Sequence, residues 1–102
     1  MGNGERIIVK VDADLKELTP GFLQARHEDV AGIAAALETG DWGVVYVLGH
    51  SMKGSGGGYG FDEITAIGAV IETAAKAKDA AAVKAGAARL ADYLGRIDIQ
   101  YA

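Results

Sequence analysis

Residues 62–97 read DEITAIGAVIETAAKAKDAAAVKAGAARLADYLGRI, and apolar side chains recur in this stretch every three or four positions. Because residues with that spacing share one face of an α-helix, we expect two amphipathic helices, at 62–78 and 79–97. The two apolar stripes consist of Ile64, Ile67, Gly68, Ile71, Ala74 and Ala75, and of Val83, Ala87, Leu90, Leu94 and Ile97. Asp79 is a preferred N-cap and separates the helices. So short a join predicts antiparallel neighbours.

Two stretches upstream carry the same helical spacing. The first is predicted over 19–39, with Thr19 as its cap, Pro20 in the first helical position and Gly40 after its last turn. The second is predicted over 41–59 and begins with an aspartate, which is also a good cap. Four helices with short joins predict an all-α fold, an antiparallel up-down four-helix bundle.

The two ends of the chain have a different pattern. Apolar and polar residues alternate over 7–11 and again over 97–101, as they do in β-strands. Two outcomes stay open: the ends pair as a short ribbon, or they pack on the bundle as ordered tails. We therefore predict one domain over residues 1–102, with the bundle over about 14–98 and short extended segments as its flanks.

Composition and charge exclude several classes of protein. The chain has 102 residues, a net charge of −4 and no cysteine, so a disulfide framework and thiolate chemistry are both excluded. No run of lysine and arginine offers a surface for nucleic acid or anionic lipid. No apolar stretch is long enough to span a membrane. The sequence thus predicts a cytoplasmic monomer that binds a protein or a small molecule.

The segment that carries chemistry is Gly49–Gly60, which reads GHSMKGSGGGYG. Each interior glycine costs a helix about 0.5–1 kcal/mol relative to alanine, so an offsetting reason is needed. Two interpretations stay open at this point. Either the helix stops near Lys53 and a loop follows, or packing holds the helix and glycine lets another surface approach the backbone.

Helical geometry favours the second interpretation. Positions i, i+3, i+4 and i+7 share a face, and counted from His50 that face holds Lys53, Gly54 and Gly57. A histidine would then project beside a lysine, over a patch of helix without side chains. No acidic residue of the same helix shares this face, so the sequence does not identify a group that orients the imidazole ring.

These residues resemble the phosphorylation motif of histidine phosphotransfer domains, which belong to two-component phosphorelays. The motif is His-x-x-Lys-Gly-Ser with a glycine five residues on, here His50, Lys53, Gly54, Ser55 and Gly60. The resemblance extends over nearly the whole chain, including the turn before the second helix and an isoleucine–glutamate pair in the third. The sequence departs from the pattern in a methionine two residues after the histidine and in a run of three extra glycines.

The resemblance implies a phosphoryl carrier with His50 as the acceptor and Lys53 beside it to attract phosphoryl oxygens. An unperturbed histidine is largely neutral at cytoplasmic pH and is then a competent nucleophile. The implied partners are receiver domains of response regulators and a hybrid histidine kinase. The implied module has no ATP-binding kinase domain and no cofactor of its own, since magnesium belongs to the receiver. The predicted docking surface consists of Tyr46, Val47, Gly54 and Gly57.

Alternative interpretations accompany each of these residues. The whole chain could be a helical adaptor in which the histidine is never phosphorylated. Tyr46 and Val47 could simply cover the edge of the bundle, and Glu72 is either a solvated charge or a partner for a neighbouring helix, without a catalytic role. His27 is predicted to lie at the edge of the core. Two histidines at unrelated spacings predict no metal site.

Overall fold

The computed structural model describes residues 5–102, and four helices make up most of that span. The helices are α1 (Thr19–Thr39), α2 (Trp42–Ser55), α3 (Asp62–Lys76) and α4 (Ala80–Arg96). They confirm the predicted four-helix, all-α fold. The joins at 40–41 and 77–79 are as short as expected, which supports the antiparallel up-down order; that order stays a prediction. Residues 1–4 of the predicted domain lie outside the described residues.

Local capping chemistry explains most of the helix ends. The Asp41 carboxylate accepts a hydrogen bond from the Val44 amide at the start of α2, and Asp79 does the same for α4. Gly40 ends α1 in the left-handed region, at φ 70°. The prediction that Thr19 caps α1 is wrong. Thr19 is the first helical residue, and its buried hydroxyl donates to the carbonyl of the residue four positions earlier.

The second helix is shorter than predicted. It ends at Ser55, and a 3-10 turn over Gly57–Tyr59 follows before Gly60 reverses the chain at φ 92°. Successive glycines destabilise a helix, because each of them loses more conformational freedom on folding than alanine does. The observed end therefore lies between the two interpretations of the glycine segment: the helix continues past Lys53 to Ser55 but includes none of the four glycines after Ser55.

The core lies between the four helices and is almost wholly apolar. Its fully buried apolar side chains are Val11, Ile33, Val45, Met52, Phe61, Ile64, Ile67, Ile71, Val83 and Leu90. At one end Phe22 of α1 stacks on Tyr59 and on Phe61, with centroid distances of 4.2 and 5.8 Å. These contacts anchor the 3-10 turn against α1, so the end of α2 is held by packing despite its glycines.

Glycines bring α2 and α3 unusually close together. A Cβ atom at Gly49 would lie 2.7 Å from the Glu72 amide nitrogen, and one at Gly56 would lie 2.6 Å from the Thr65 amide nitrogen. From the other side, a Cβ at Gly68 would collide with the backbone of Lys53. No side chain larger than that of glycine fits at these three positions without a shift of the neighbouring backbone.

The two chain ends pair, which decides between the outcomes left open by their alternating pattern. Strand β1 (Ile7–Val11) and strand β2 (Ile97–Tyr101) form a parallel two-stranded sheet, with Ile7 opposite Ile97. The Arg96 guanidinium donates to the Glu5 carbonyl at 2.8 Å and ties the ends further. Within residues 5–102, no helix is long and apolar enough to cross a membrane.

Candidate functional site

His50 projects from the middle of α2 into solvent. Its side chain is 65 % exposed, as expected for a group that another protein must reach. Lys53, one helical turn further on, is 48 % exposed. The exposed position of the histidine is therefore confirmed by the fold.

A buried carboxylate from α3 joins the two side chains. The Glu72 side chain is only 7 % exposed, and its Oε2 lies 2.5 Å from His50 Nδ1 while its Oε1 accepts from Lys53 Nζ at 3.0 Å. Glu72 therefore binds the imidazole and orients it through Nδ1. Of the two alternatives left open for Glu72, a solvated charge or a partner for a neighbouring helix, the second is confirmed. Its role at His50 could not be predicted, because the face of α2 that holds the histidine carries no acidic residue and Glu72 comes from another helix.

The two hydrogen bonds keep Glu72 ionised. The pKa of its carboxyl lies below the ordinary value of 4.5, first because His50 donates to it and then because Lys53 does. Burial acts in the opposite direction but is outweighed. At neutral pH the site accordingly holds a carboxylate between a lysine ammonium and an imidazole.

This arrangement selects one of the two ring nitrogens of His50. A carboxylate only accepts hydrogen bonds, so Nδ1 must carry the proton that points at Glu72. In the neutral ring the lone pair is then on Nε2. Since the side chain is largely exposed, Nε2, the ring nitrogen that is not bound to the protein, faces a surface that another protein can reach.

The backbone around Lys53 is fixed by a threonine of α3. The Thr65 hydroxyl donates to the Lys53 carbonyl at 3.1 Å and accepts from the Gly57 amide at 2.8 Å. It thereby satisfies two backbone groups at the carboxyl end of α2, where a helix leaves its carbonyls unpaired. The lysine is thus placed by contacts that do not involve its ammonium group.

The four predicted docking residues differ in their surroundings. Val47 is 61 % exposed, and a Cβ at Gly54 would meet nothing within 4 Å, so both offer open surface. Gly57 is exposed too, but it belongs to the 3-10 turn, and a Cβ there would touch Asp62. Tyr46 is half-buried, and its ring stacks against the His50 imidazole.

Gly56 lets another surface approach the backbone of α2, as one interpretation expected, but that surface is α3 of the same domain and not a partner. Its Cβ position is filled by the backbone of α3, so this glycine is needed for packing inside the domain. The expectation that His27 lies at the edge of the core is wrong, because this side chain is exposed on α1. Among residues 5–102 no group of three or more His, Cys, Asp or Glu side chains could hold a metal ion.

Comparison with known families agrees with this geometry. The family model of the Hpt domain matches residues 17–100, a span that includes all four helices, His50 and Glu72. The chain belongs to the Hpt domain family. No curated protein and no solved structure gives a significant match. The resemblance found in the sequence is therefore confirmed.

Membership of this family implies phosphotransfer in two-component signalling, with the Hpt domain as a phosphocarrier module rather than a kinase. Hpt domains generally interact with receiver domains and histidine kinases.

Proposed function

We propose that this Hpt domain carries a phosphoryl group on Nε2 of His50 and exchanges it with aspartates of receiver domains. The observation that carries the proposal is the Glu72 carboxylate on Nδ1, because it leaves Nε2 as the nucleophilic nitrogen of an exposed ring. His27, the other histidine of the chain, lacks any such partner among the contacts of residues 5–102.

In the transfer step, the Nε2 lone pair attacks phosphorus and forms a P–N bond. The bond between phosphorus and the aspartyl oxygen of the receiver breaks, and its electron pair stays on the aspartate carboxylate. The Nδ1 proton remains on the ring, so positive charge develops on the imidazole as the new bond forms. Glu72 is placed to stabilise that charge, and a preorganised carboxylate does so without reorganisation during the reaction.

Lys53 is placed to assist on the phosphoryl side. Its ammonium group has three N–H donors and donates one of them to Glu72. Because the Lys53 side chain is about half exposed, the other donors are open to phosphoryl oxygens. A positive charge beside the reacting nitrogen attracts phosphoryl oxygens and stabilises the negative charge that they share. Magnesium and the remaining acidic groups would come from the receiver domain.

Radioactive labelling tests the proposal. A phosphorylated receiver domain that is active on the parent should deposit a phosphate that is lost in acid and stable in alkali, as a phosphoramidate is and a serine ester is not. His50→Gln should abolish the label while circular dichroism shows unchanged helicity. The matched control His27→Gln should be labelled like the parent. A label that persists in His50→Gln would refute the proposal, and a parent never labelled by any receiver would favour the adaptor alternative.

A further inference from the structure

Tyr46 contacts the imidazole on a different side from Glu72. The Tyr46 and His50 rings are nearly parallel, with 12° between their planes and 5.9 Å between their centroids. The two residues lie one helical turn apart on α2, so the backbone of the helix brings their side chains together. Val47, the adjacent predicted docking residue, instead exposes most of its side chain.

The hydrogen bond to Glu72 orients the ring only while it is formed. Because most of the His50 side chain is exposed, rotation about χ1 and χ2 can break this bond and turn Nε2 in another direction. A flat ring packed parallel to the imidazole disfavours the other rotamers, because they lose the stacking contact.

The Tyr46 ring is itself held from α3. The Lys76 ammonium nitrogen lies 5.6 Å from the centre of that ring, within the range of a cation–π contact. Lys76 follows Glu72 by one helical turn, so consecutive turns of α3 hold the imidazole and the ring against which it stacks. Lys76 thus contacts the Tyr46 ring, and the Tyr46 ring in turn contacts His50.

We infer that Tyr46 is a positioning residue for the phosphoacceptor rather than a docking residue, and that Lys76 positions Tyr46. This inference rests on the proposed function, because orientation matters only if Nε2 attacks phosphorus. In-line attack requires the lone pair to point at the receiver's phosphoryl group when the two proteins are bound. A wrongly turned ring therefore slows transfer within the complex and leaves docking unchanged.

The experiment separates the two roles with a receiver domain that labels the parent. Transfer is followed at increasing receiver concentration, giving a maximal rate and a half-saturating concentration. Tyr46→Leu should lower the maximal rate about tenfold with little change in half-saturation. Tyr46→Phe keeps the flat ring and should restore the parental rate. Val47→Ala should show the opposite pattern, a higher half-saturating concentration with the maximal rate of the parent.

A second Tyr–Lys pair in the molecule serves as a matched control. The Lys16 ammonium nitrogen lies 5.7 Å from the centre of the Tyr101 ring. Tyr101 is the last residue of β2, and Lys16 lies between β1 and α1. Tyr101→Leu should therefore leave both kinetic constants unchanged. Lys76→Gln should lower the maximal rate by at most about two- to fivefold, the size of one exposed cation–π contact, whereas Lys16→Gln should leave it unchanged.

Nuclear magnetic resonance gives a readout that does not depend on phosphotransfer. Ring-current shifts of the His50 ring protons should be present in the parent and Tyr46→Phe, and lost in Tyr46→Leu. An unchanged maximal rate in Tyr46→Leu, with the shifts lost and the parent active, would overturn this inference alone. If Tyr46→Leu raises the half-saturating concentration and leaves the maximal rate unchanged, Tyr46 is a docking residue and the inference is wrong. A parent that is never labelled would overturn the proposed function and, with it, this inference.

Discussion

Replacing Gly49 by alanine should loosen the contact between α2 and α3 and disturb the site at the same time. The new Cβ would lie 2.7 Å from the Glu72 amide nitrogen and 3.0 Å from Ile71 Cγ2. Ordinary contact begins near 3.4 Å, so the helices must separate by several tenths of an ångström. The nearest obstacle is backbone, which cannot turn aside as a flexible side chain can.

Two effects of opposite sign determine the change in stability. Alanine favours a helix over glycine by about 0.5–1 kcal/mol. Overpacking at a tight contact costs roughly 1–3 kcal/mol. We therefore expect the free energy of unfolding to fall by about 1–2 kcal/mol in Gly49→Ala, with a decrease in Tm of about 4–8 °C for each kcal/mol in a domain of this size.

The assay is urea unfolding followed by circular dichroism, with Gly54→Ala as the matched control. A Cβ at Gly54 meets nothing within 4 Å, so that variant gains helix propensity without a collision. It should be as stable as the parent or up to about 1 kcal/mol more stable. Phosphotransfer should slow in Gly49→Ala, because Glu72 is displaced from the 2.5 Å contact with His50 Nδ1. A Gly49→Ala variant as stable as Gly54→Ala would refute the close-contact explanation.

The remaining predictions concern the charges of the site. Lys53→Ala should slow transfer about tenfold to hundredfold without abolishing it, since one charged contact in the transition state is worth on the order of 1–3 kcal/mol. The rate is measured in rapid-quench assays, and a complete loss of transfer would show that Lys53 does more than attract phosphoryl oxygens. The lowered Glu72 pKa contributes stability that is fully present above the unfolded value of 4.5 and is lost as pH falls through the folded value. The difference in unfolding free energy between parent and Glu72→Gln should therefore be constant above pH 4.5 and shrink below it; no change with pH would contradict the ion-pair geometry. Gly57→Glu should slow transfer more than Gly57→Gln, because both add bulk but only the carboxylate repels phosphate; equal rates would show that charge there is irrelevant.

The helices could be predicted from the sequence because their ends depend on local chemistry. Asp41 and Asp79 cap α2 and α4 through their own side chains, and Gly40 closes α1 through its own left-handed backbone. Such signals lie within a few residues of the end that they determine. The prediction failed at Thr19, because its hydroxyl donates to the Leu15 carbonyl at the end of a 3-10 turn over Ala13–Leu15, and the apolar spacing does not predict that turn.

The roles of the glycines depend on tertiary contacts and could be predicted only in part. The segment after His50 is rich in glycine for two separate reasons. Gly54 leaves open surface beside the histidine, as the helical face predicted, whereas Gly56 is required by the backbone of α3. Both residues look alike in the sequence. Only the neighbouring helix distinguishes them, because a periodic pattern describes one helix and not its contacts with the next.

Glu72 is the part of the site that the sequence left undecided, and the reason is the register between two helices. Whether its carboxylate meets His50 depends on how far α3 lies along α2, and apolar periodicity does not determine that offset. A signal was nevertheless present. Gly49 precedes His50 directly, and Gly68 lies one turn before Glu72 on the apolar stripe of α3. Facing glycines mark the point where two helices can approach most closely, so pairing these two would have placed the glutamate beside the histidine.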